Sequence, residues 1–179
     1  MTLSARGHEQ AVILANWLSS RKLDALYSSP MKRVQETLVP FLKNGATEQV
    51  IKNDLREVDF GDWTGHGFEA VLEKFGARAS DWLDHIERGA IVNGETGAEF
   101  RARIEPCVRD IVQRHAGKTI GIAAHGGVIC MILSLVTGLP LSRISLFNIA
   151  YASVSQVVLH PHRVEFELVN FTPWRDLTR

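Results

Sequence analysis

The sequence predicts a three-layer α/β/α sandwich built on a mixed, mostly parallel sheet, and three observations point there. Short apolar runs at Ala25–Tyr27, residues 50–54 and Thr119–Ala124 alternate with stretches whose apolar residues recur at helical spacing. Two alternating runs, Ser153–Leu159 and Val164–Phe171, flank His160-Pro161-His162 and read as an antiparallel hairpin. No repeat, low-complexity tract or linker interrupts the 179 residues, so a single domain over 1–179 is expected.

Each element has a local reason. Ser4 can cap a first helix whose Ala11, Leu14, Ala15 and Leu18 share one face. After the strand Ala25–Tyr27, Pro30 suits the opening of a second helix carrying Val34, Leu38 and Phe41, with an end near Asn44-Gly45. A brief strand over 50–54 leads into LREVDFGDWTG, Leu55 to Gly65, whose glycines and mixed polarity mark a structured loop. Helical patterns return over Phe68–Phe75 and Arg78–Ile86. Gly89–Gly97 is a break, and Phe100, Ile104, Val108, Ile111 and Val112 then line a long helix up to His115. The strand Thr119–Ala124 runs into an apolar helix, Gly127–Thr137, stopped by Gly138 and Pro140.

Composition narrows the function. Lys plus Arg and Asp plus Glu balance at 20 each, so no whole-molecule field draws nucleic acid or an anionic membrane, and any anion must be held by a local cluster. The two cysteines, Cys107 and Cys130, lie in helical patterns without metal or disulfide spacing; they read as core residues of a protein in a reducing cytoplasm. No histidine spacing indicates zinc. The apolar stretch Val128–Val136 is too short to span a bilayer, and residues 1–20 lack a signal-peptide layout.

The chemistry concentrates at Ala124-His125-Gly126-Gly127, where a strand meets a helix. Unpaired amides and the positive dipole end suit an anion, glycines such as Gly126 let a phosphate approach the backbone, and an imidazole adds charge or a proton. Strands ending at Ser28-Ser29, Leu55 and Ala124 on one side of the sheet would bring Arg33, Glu57 and His125 together. Arg33 offers a planar fork for phosphate oxygens and Glu57 a carboxyl that can protonate a leaving alcohol. An arginine, a histidine and an acid suit phosphoryl transfer on a small phosphorylated metabolite with no metal and no cofactor. Trp17, Trp63, Trp82 and Trp174 are assigned to packing, Trp63 holding the acid loop to the body.

On these residues the chain resembles the phosphoglycerate mutase-like histidine phosphatase superfamily over nearly its whole length. Leu3-Ser4 through Gly7 and Gln10-Ala11 is similar to the opening of that family's first helix. Tyr27-Ser28-Ser29-Pro30 with Lys32-Arg33 and Glu36-Thr37 is similar to its second phosphate-binding segment. The Leu55–Gly65 loop resembles the one bearing the family's acid, in a form closer to the small phosphatases than to the glycolytic mutases. Gly94-Glu95-Thr96 followed by Arg103 resembles its Gly-Glu-Ser segment, and Ala124 through Ile129 its second-histidine motif.

The resemblance implies that Arg33 binds the transferred phosphoryl group, that Glu57 is the general acid and base, and that His125 stabilises phosphoryl charge. It also implies a phosphohistidine intermediate on an Arg-His-Gly-x-Thr motif at the end of a first strand. That motif does not occur here: Met1 stands immediately before the first helix, and Arg6-Gly7-His8 has the residue types in another order, with His8 in a helical turn. The expectation is therefore an N-terminally truncated domain, inactive as written. The absent strand would lie beside Thr119–Ala124 and Ser153–Leu159. Its loss predicts closure of the sheet by rearrangement, a segment from another chain in a homo-oligomer, or further upstream residues. The alternative function is a pseudophosphatase that binds an anion or a partner without turnover.

Overall fold

The computed structural model describes residues 1–43 and 47–177. Helix α1 (Ala5–Leu18) starts at Ser4, whose side chain accepts from the Gly7 amide as expected of an N-cap. Strand β1 (Ala25–Ser28) leads to α2 (Lys32–Leu42), and β2 (Gln49–Ile51) to a 3-10 turn at Asn53–Leu55. The acid loop contains a second turn at Gly61–Trp63 and is followed by α3 (Phe68–Phe75) and α4 (Trp82–Glu87). Helix α5 (Gly97–Arg114) opens with a reciprocal Thr96–Glu99 capping box. Strand β3 (Ile120–Ala123), α6 (Gly126–Thr137), β4 (Val154–Leu159), β5 (Val164–Phe171) and a short α7 (Pro173–Asp176) complete the chain.

The fold class is the expected one. β1 is central in a parallel β2-β1-β3 sheet, and successive β1 side chains enter cores on opposite faces. Leu26 packs with Ala15, Val34, Leu38 and Phe41 beneath α1 and α2, while Tyr27 joins the larger core of Leu55, Phe100, Ile104, Ile111 and Val128. Cys130 is buried in that larger core, with Cys107 half-buried at its margin.

Two details differ from expectation. The second helix opens at Lys32, not at Pro30, because Ser29 and Pro30 form the turn before it: the Met31 amide donates to Ser29 Oγ at 3.2 Å and Met31 becomes the N-cap. Its end near Asn44-Gly45 lies outside the described residues. The strand expected over 50–54 is shorter, since Asn53 already enters the 3-10 turn.

The antiparallel hairpin forms its own two-stranded sheet. Among the described residues β3 pairs only with β1, and β4 only with β5, so no rearrangement closes the sheet between them. Leu26, Tyr27 and Ser28 of β1 are buried, whereas all four β3 residues are half-buried, as befits a strand paired on one edge only. No helix among the described residues is long and apolar enough to cross a membrane.

Candidate active site

The β1/β3 register places the site. Ser28 lies opposite Ala123, and the Ser29 amide continues the ladder to the Ala123 carbonyl at 3.0 Å, so the two strands end level with each other. Ser29, directly after β1, and His125, one residue past Ala124, lie just beyond the strand ends and are both buried. Their contact is direct: Ser29 Oγ is 2.7 Å from His125 Nε2. On the other ring nitrogen, Arg33 Nε donates to His125 Nδ1 at 3.0 Å.

That second bond assigns the proton. A guanidinium only donates, so Nδ1 is the acceptor and Nε2 carries the hydrogen, which it gives to Ser29 Oγ. Ser29 is thus held as an acceptor and is not activated as a nucleophile. Burial pushes the His125 pKa down to about 4, and the charges of Arg33 and Arg103 act in the same direction. The imidazole is neutral at neutral pH, so in this state it contributes hydrogen bonds and no charge.

Arg33 is fixed by its first helical turn and by His125, and among the described residues no carboxylate lies within ion-pair distance of it. A half-buried guanidinium without an acid partner leaves its terminal nitrogens available to an anion. Beneath it, Ser28 is enclosed by amides: Gln35 Nε2 donates to Ser28 Oγ at 3.1 Å and to the Ser29 carbonyl at 2.6 Å, and Gln49 Nε2 donates to Ser28 Oγ at 2.6 Å.

Glu57 approaches from the acid loop. Its carboxylate accepts from its neighbour's amide, Val58, at 3.0 Å and from the Gly127 amide in the first turn of α6 at 3.3 Å. Gly127 makes this approach possible, because a Cβ there would sit 2.4 Å from Glu57 Oε1. Burial pushes the Glu57 carboxyl above the usual carboxylate range and prevails over the opposing pull of those amides and of Arg33. Cys130 behind it is inert: burial, with Glu57 adding, drives its thiol up to about 12. Among the described residues no group of three His, Cys, Asp or Glu side chains is placed to hold a metal ion.

A neutral imidazole, an open guanidinium and a carboxyl biased toward its protonated form therefore share one end of the sheet. The profile of the histidine phosphatase superfamily (branch 1) matches residues 1–172. This chain belongs to that superfamily. It is 28% identical to phosphoserine phosphatase 1 of Hydrogenobacter thermophilus over 95% of this chain and 81% of that one. It is 26% identical to the adenosylcobalamin/alpha-ribazole phosphatase of Escherichia coli over 77% of this chain and 68% of that one. In structure it is similar to a mycobacterial glucosyl-3-phosphoglycerate phosphatase solved in complex with VO3, at a TM-score of 0.82 and 26% identity, covering 96% of this chain and 87% of that one.

Within this histidine phosphatase fold Arg33 and His125 touch, and Glu57 meets the same strand-to-helix junction through Gly127. Gly126 lies at that junction in open surroundings, with nothing within 4 Å of where its Cβ would be. Sequence reasoning placed Ser29 and Gly127 within its motifs but gave neither a role at the site. Ser29 was legible as a polar residue ending a buried strand, and Gly127 as the second glycine of a pair facing an acid loop. The remaining histidines have other neighbours: His66 lies against Phe75, His85 edge-on to Trp63, and His115 Nε2 is 2.9 Å from the Tyr27 hydroxyl.

Proposed function

We propose that this site binds the phosphoryl group of a small phosphomonoester in the cytoplasm and gives a proton to the departing alcohol. The observation that carries the reading is Arg33, a half-buried guanidinium with one nitrogen on His125 and, among the described residues, no carboxylate within ion-pair distance, at the same end of the sheet as a carboxyl that burial biases toward protonation. Arg33 takes phosphoryl oxygens, the open backbone at Gly126 accommodates them, and Glu57 is the general acid. An arriving phosphoryl anion opposes the effect of burial and of the Arg33 charge on His125 and favours its charged form, whose Nδ1–H can no longer accept from Arg33 and becomes a donor for the anion. The likeness to phosphatases whose names specify phosphoserine and α-ribazole supports a small phosphate ester as the substrate class.

The polypeptide of residues 1–179 is proposed to bind without turning over. Among the described residues, His125 is the histidine hydrogen-bonded to Ser29 and Arg33, and both of its ring nitrogens are engaged there. His8 lies exposed within α1. Loss of a covalent nucleophile costs enzymes about a millionfold in turnover. The same observation favours the second reading, an anion- or partner-binding pseudophosphatase.

Orthovanadate or phosphate at millimolar levels is expected to raise the Tm of this polypeptide, and Arg33→Met to abolish the rise. Incubation with p-nitrophenyl phosphate or a labelled phosphate donor should give neither a burst nor an acid-labile protein label. No protection by either anion would overturn the binding site, and a burst with an acid-labile label would overturn the lack of turnover.

A further inference from the structure

Glu57 sits on irregular backbone, yet its carboxyl meets a fixed helix end at 3.3 Å, a length with no slack before the hydrogen bond is lost. Something must hold the loop, and the strongest contacts to it come from α5. Arg103 is 8% exposed and forks onto Glu95, itself 11% exposed, with Nε to Oε1 at 2.8 Å and Nη2 to Oε2 at 2.6 Å. Its remaining nitrogen, Nη1, donates to the carbonyls of Asp54 at 2.5 Å and Arg56 at 3.0 Å. Glu95 then closes the other side: its amide donates to the Asp59 carbonyl at 2.8 Å, and its carboxylate accepts from the Asp59 amide at 3.3 Å.

The contacts fall on residues 54, 56 and 59, on both sides of Glu57. The other arginines of α5 behave differently. Arg101, Arg109 and Arg114 pair with acids one turn away on the same helix and keep more than half of each side chain exposed. Only Arg103 among these turns inward, and all its hydrogen bonds are spent on the acid loop or on the residue that backs it.

We propose that the buried Glu95–Arg103 pair is the positioning device for Glu57, clasping the 54–59 backbone on both sides of the carboxyl and so setting its contact with the amino end of α6. Glu95 and Arg103 are positioning residues, not catalytic ones, and their role rests on the reading of Glu57 as the general acid. Lysine at 103 would keep the charge but lack the fork: it cannot hold Glu95 and two carbonyls in one plane. The loop would then relax, the carboxyl would regain water, and its contact with Gly127 would open.

The test is an NMR titration of isotopically labelled chain 1–179, following the Glu57 side-chain carboxyl and the Gly127 amide. In the parent chain the Gly127 amide should shift with the ionisation of Glu57, at a pH above the ordinary carboxylate range. In Arg103→Lys the Glu57 titration should fall toward the ordinary carboxylate value, and the Gly127 amide should stop following it. Should that variant fail to fold, the double variant Glu95→Gln/Arg103→Met removes both buried charges together and carries the same expectation. A pair that merely stabilises would lower Tm and leave both titrations where they were; that result in either folded variant overturns the proposal. An ordinary Glu57 titration in the parent chain would instead overturn the reading of Glu57 as the acid, and the clamp with it.

Discussion

The two halves of the site are built by different means. The anion half, Ser29, Arg33 and His125, stands on the ends of regular elements, where the β1/β3 ladder and the first turns of α2 and α6 already satisfy the backbone. Three side chains suffice to finish it. The acid half stands on a loop with no ladder of its own, so its amides and carbonyls must find partners elsewhere or lie unpaired. Those partners are residues 91–95 and Arg103: the Asp62 amide donates to Val92, Glu95 pairs with Asp59, and Arg103 takes Asp54 and Arg56. Regular structure fixes a functional side chain through the ladder, and irregular structure needs a buried ion pair and close backbone packing to do the same.

The acid half is most sensitive to substitution at Gly61. Its φ is +47°, and an added Cβ would lie 2.3 Å from the backbone of both Val92 and Gly94, atoms that cannot rotate away. Gly61→Ala combines left-handed strain with overpacking, an expected cost of about 2–5 kcal/mol and a Tm loss of about 10 °C. The corresponding change in the anion half, Gly126→Ala, adds a methyl where nothing lies within 4 Å and should cost less than about 0.5 kcal/mol. Thermal unfolding of the two variants side by side checks both. Equal losses would mean that the acid loop is no more tightly packed than the strand-to-helix junction.

How much of this was legible in the sequence follows the same division. Ser4, the face of α1, the strand at Ala25 and the β3–α6 junction at His125 were readable because capping, periodicity and strand-to-helix glycines are local signals. That Arg33, Glu57 and His125 lie near one another could be read from the strand ends that precede them. The acid loop could be recognised only as structured, since its geometry depends on Glu95 and Arg103, well over thirty residues away, and no periodicity encodes that contact. The start of α2 was misplaced because Pro30 is a good first helical residue, whereas here the Ser29 hydroxyl takes the Met31 amide and makes a turn of it. That the hairpin pairs only within itself likewise depends on strand neighbours that alternation along the chain does not specify.

The anion half has its own sensitivity, to pH. His125 is buried with a folded pKa of about 4, against about 6.5 for an unfolded histidine. Between those values the unfolded chain binds more protons than the folded one, so stability falls as the pH drops through the window. The contribution is fully present above about pH 6.5, is lost by about pH 4, and amounts to about 3 kcal/mol. Glu57 acts with the opposite sign: its pKa is raised on folding, and its ionisation removes stability as the pH rises through the folded value. His125→Asn keeps an acceptor toward Arg33 but cannot titrate. Urea unfolding at pH 4.5 and 7.5 should show the parent losing more stability in acid than the variant, by up to about 3 kcal/mol. Parallel losses would place the acid sensitivity outside His125.

A smaller loss than at Gly61 is expected from Ser29, where one atom is removed from the half that needs few side chains. Ser29 Oγ receives His125 Nε2–H at 2.7 Å and the Met31 amide at 3.2 Å, and the residue is fully buried. Ser29→Ala leaves both donors short of a partner while preserving the ladder bond from the Ser29 amide to Ala123. The expected cost is about 1–2 kcal/mol, less than for Gly61→Ala, because the backbone that carries Arg33 and His125 is fixed by β1, β3 and α6 independently of the hydroxyl. The imidazole, freed on one side, should gain motion visible as broadening of its ring resonances, whereas Glu57 should titrate, and the Gly127 amide follow it, as in the parent chain. A shift of the Glu57 titration in Ser29→Ala would show that the two halves are mechanically coupled, and would end the distinction between a ladder-built half and a clamp-built one.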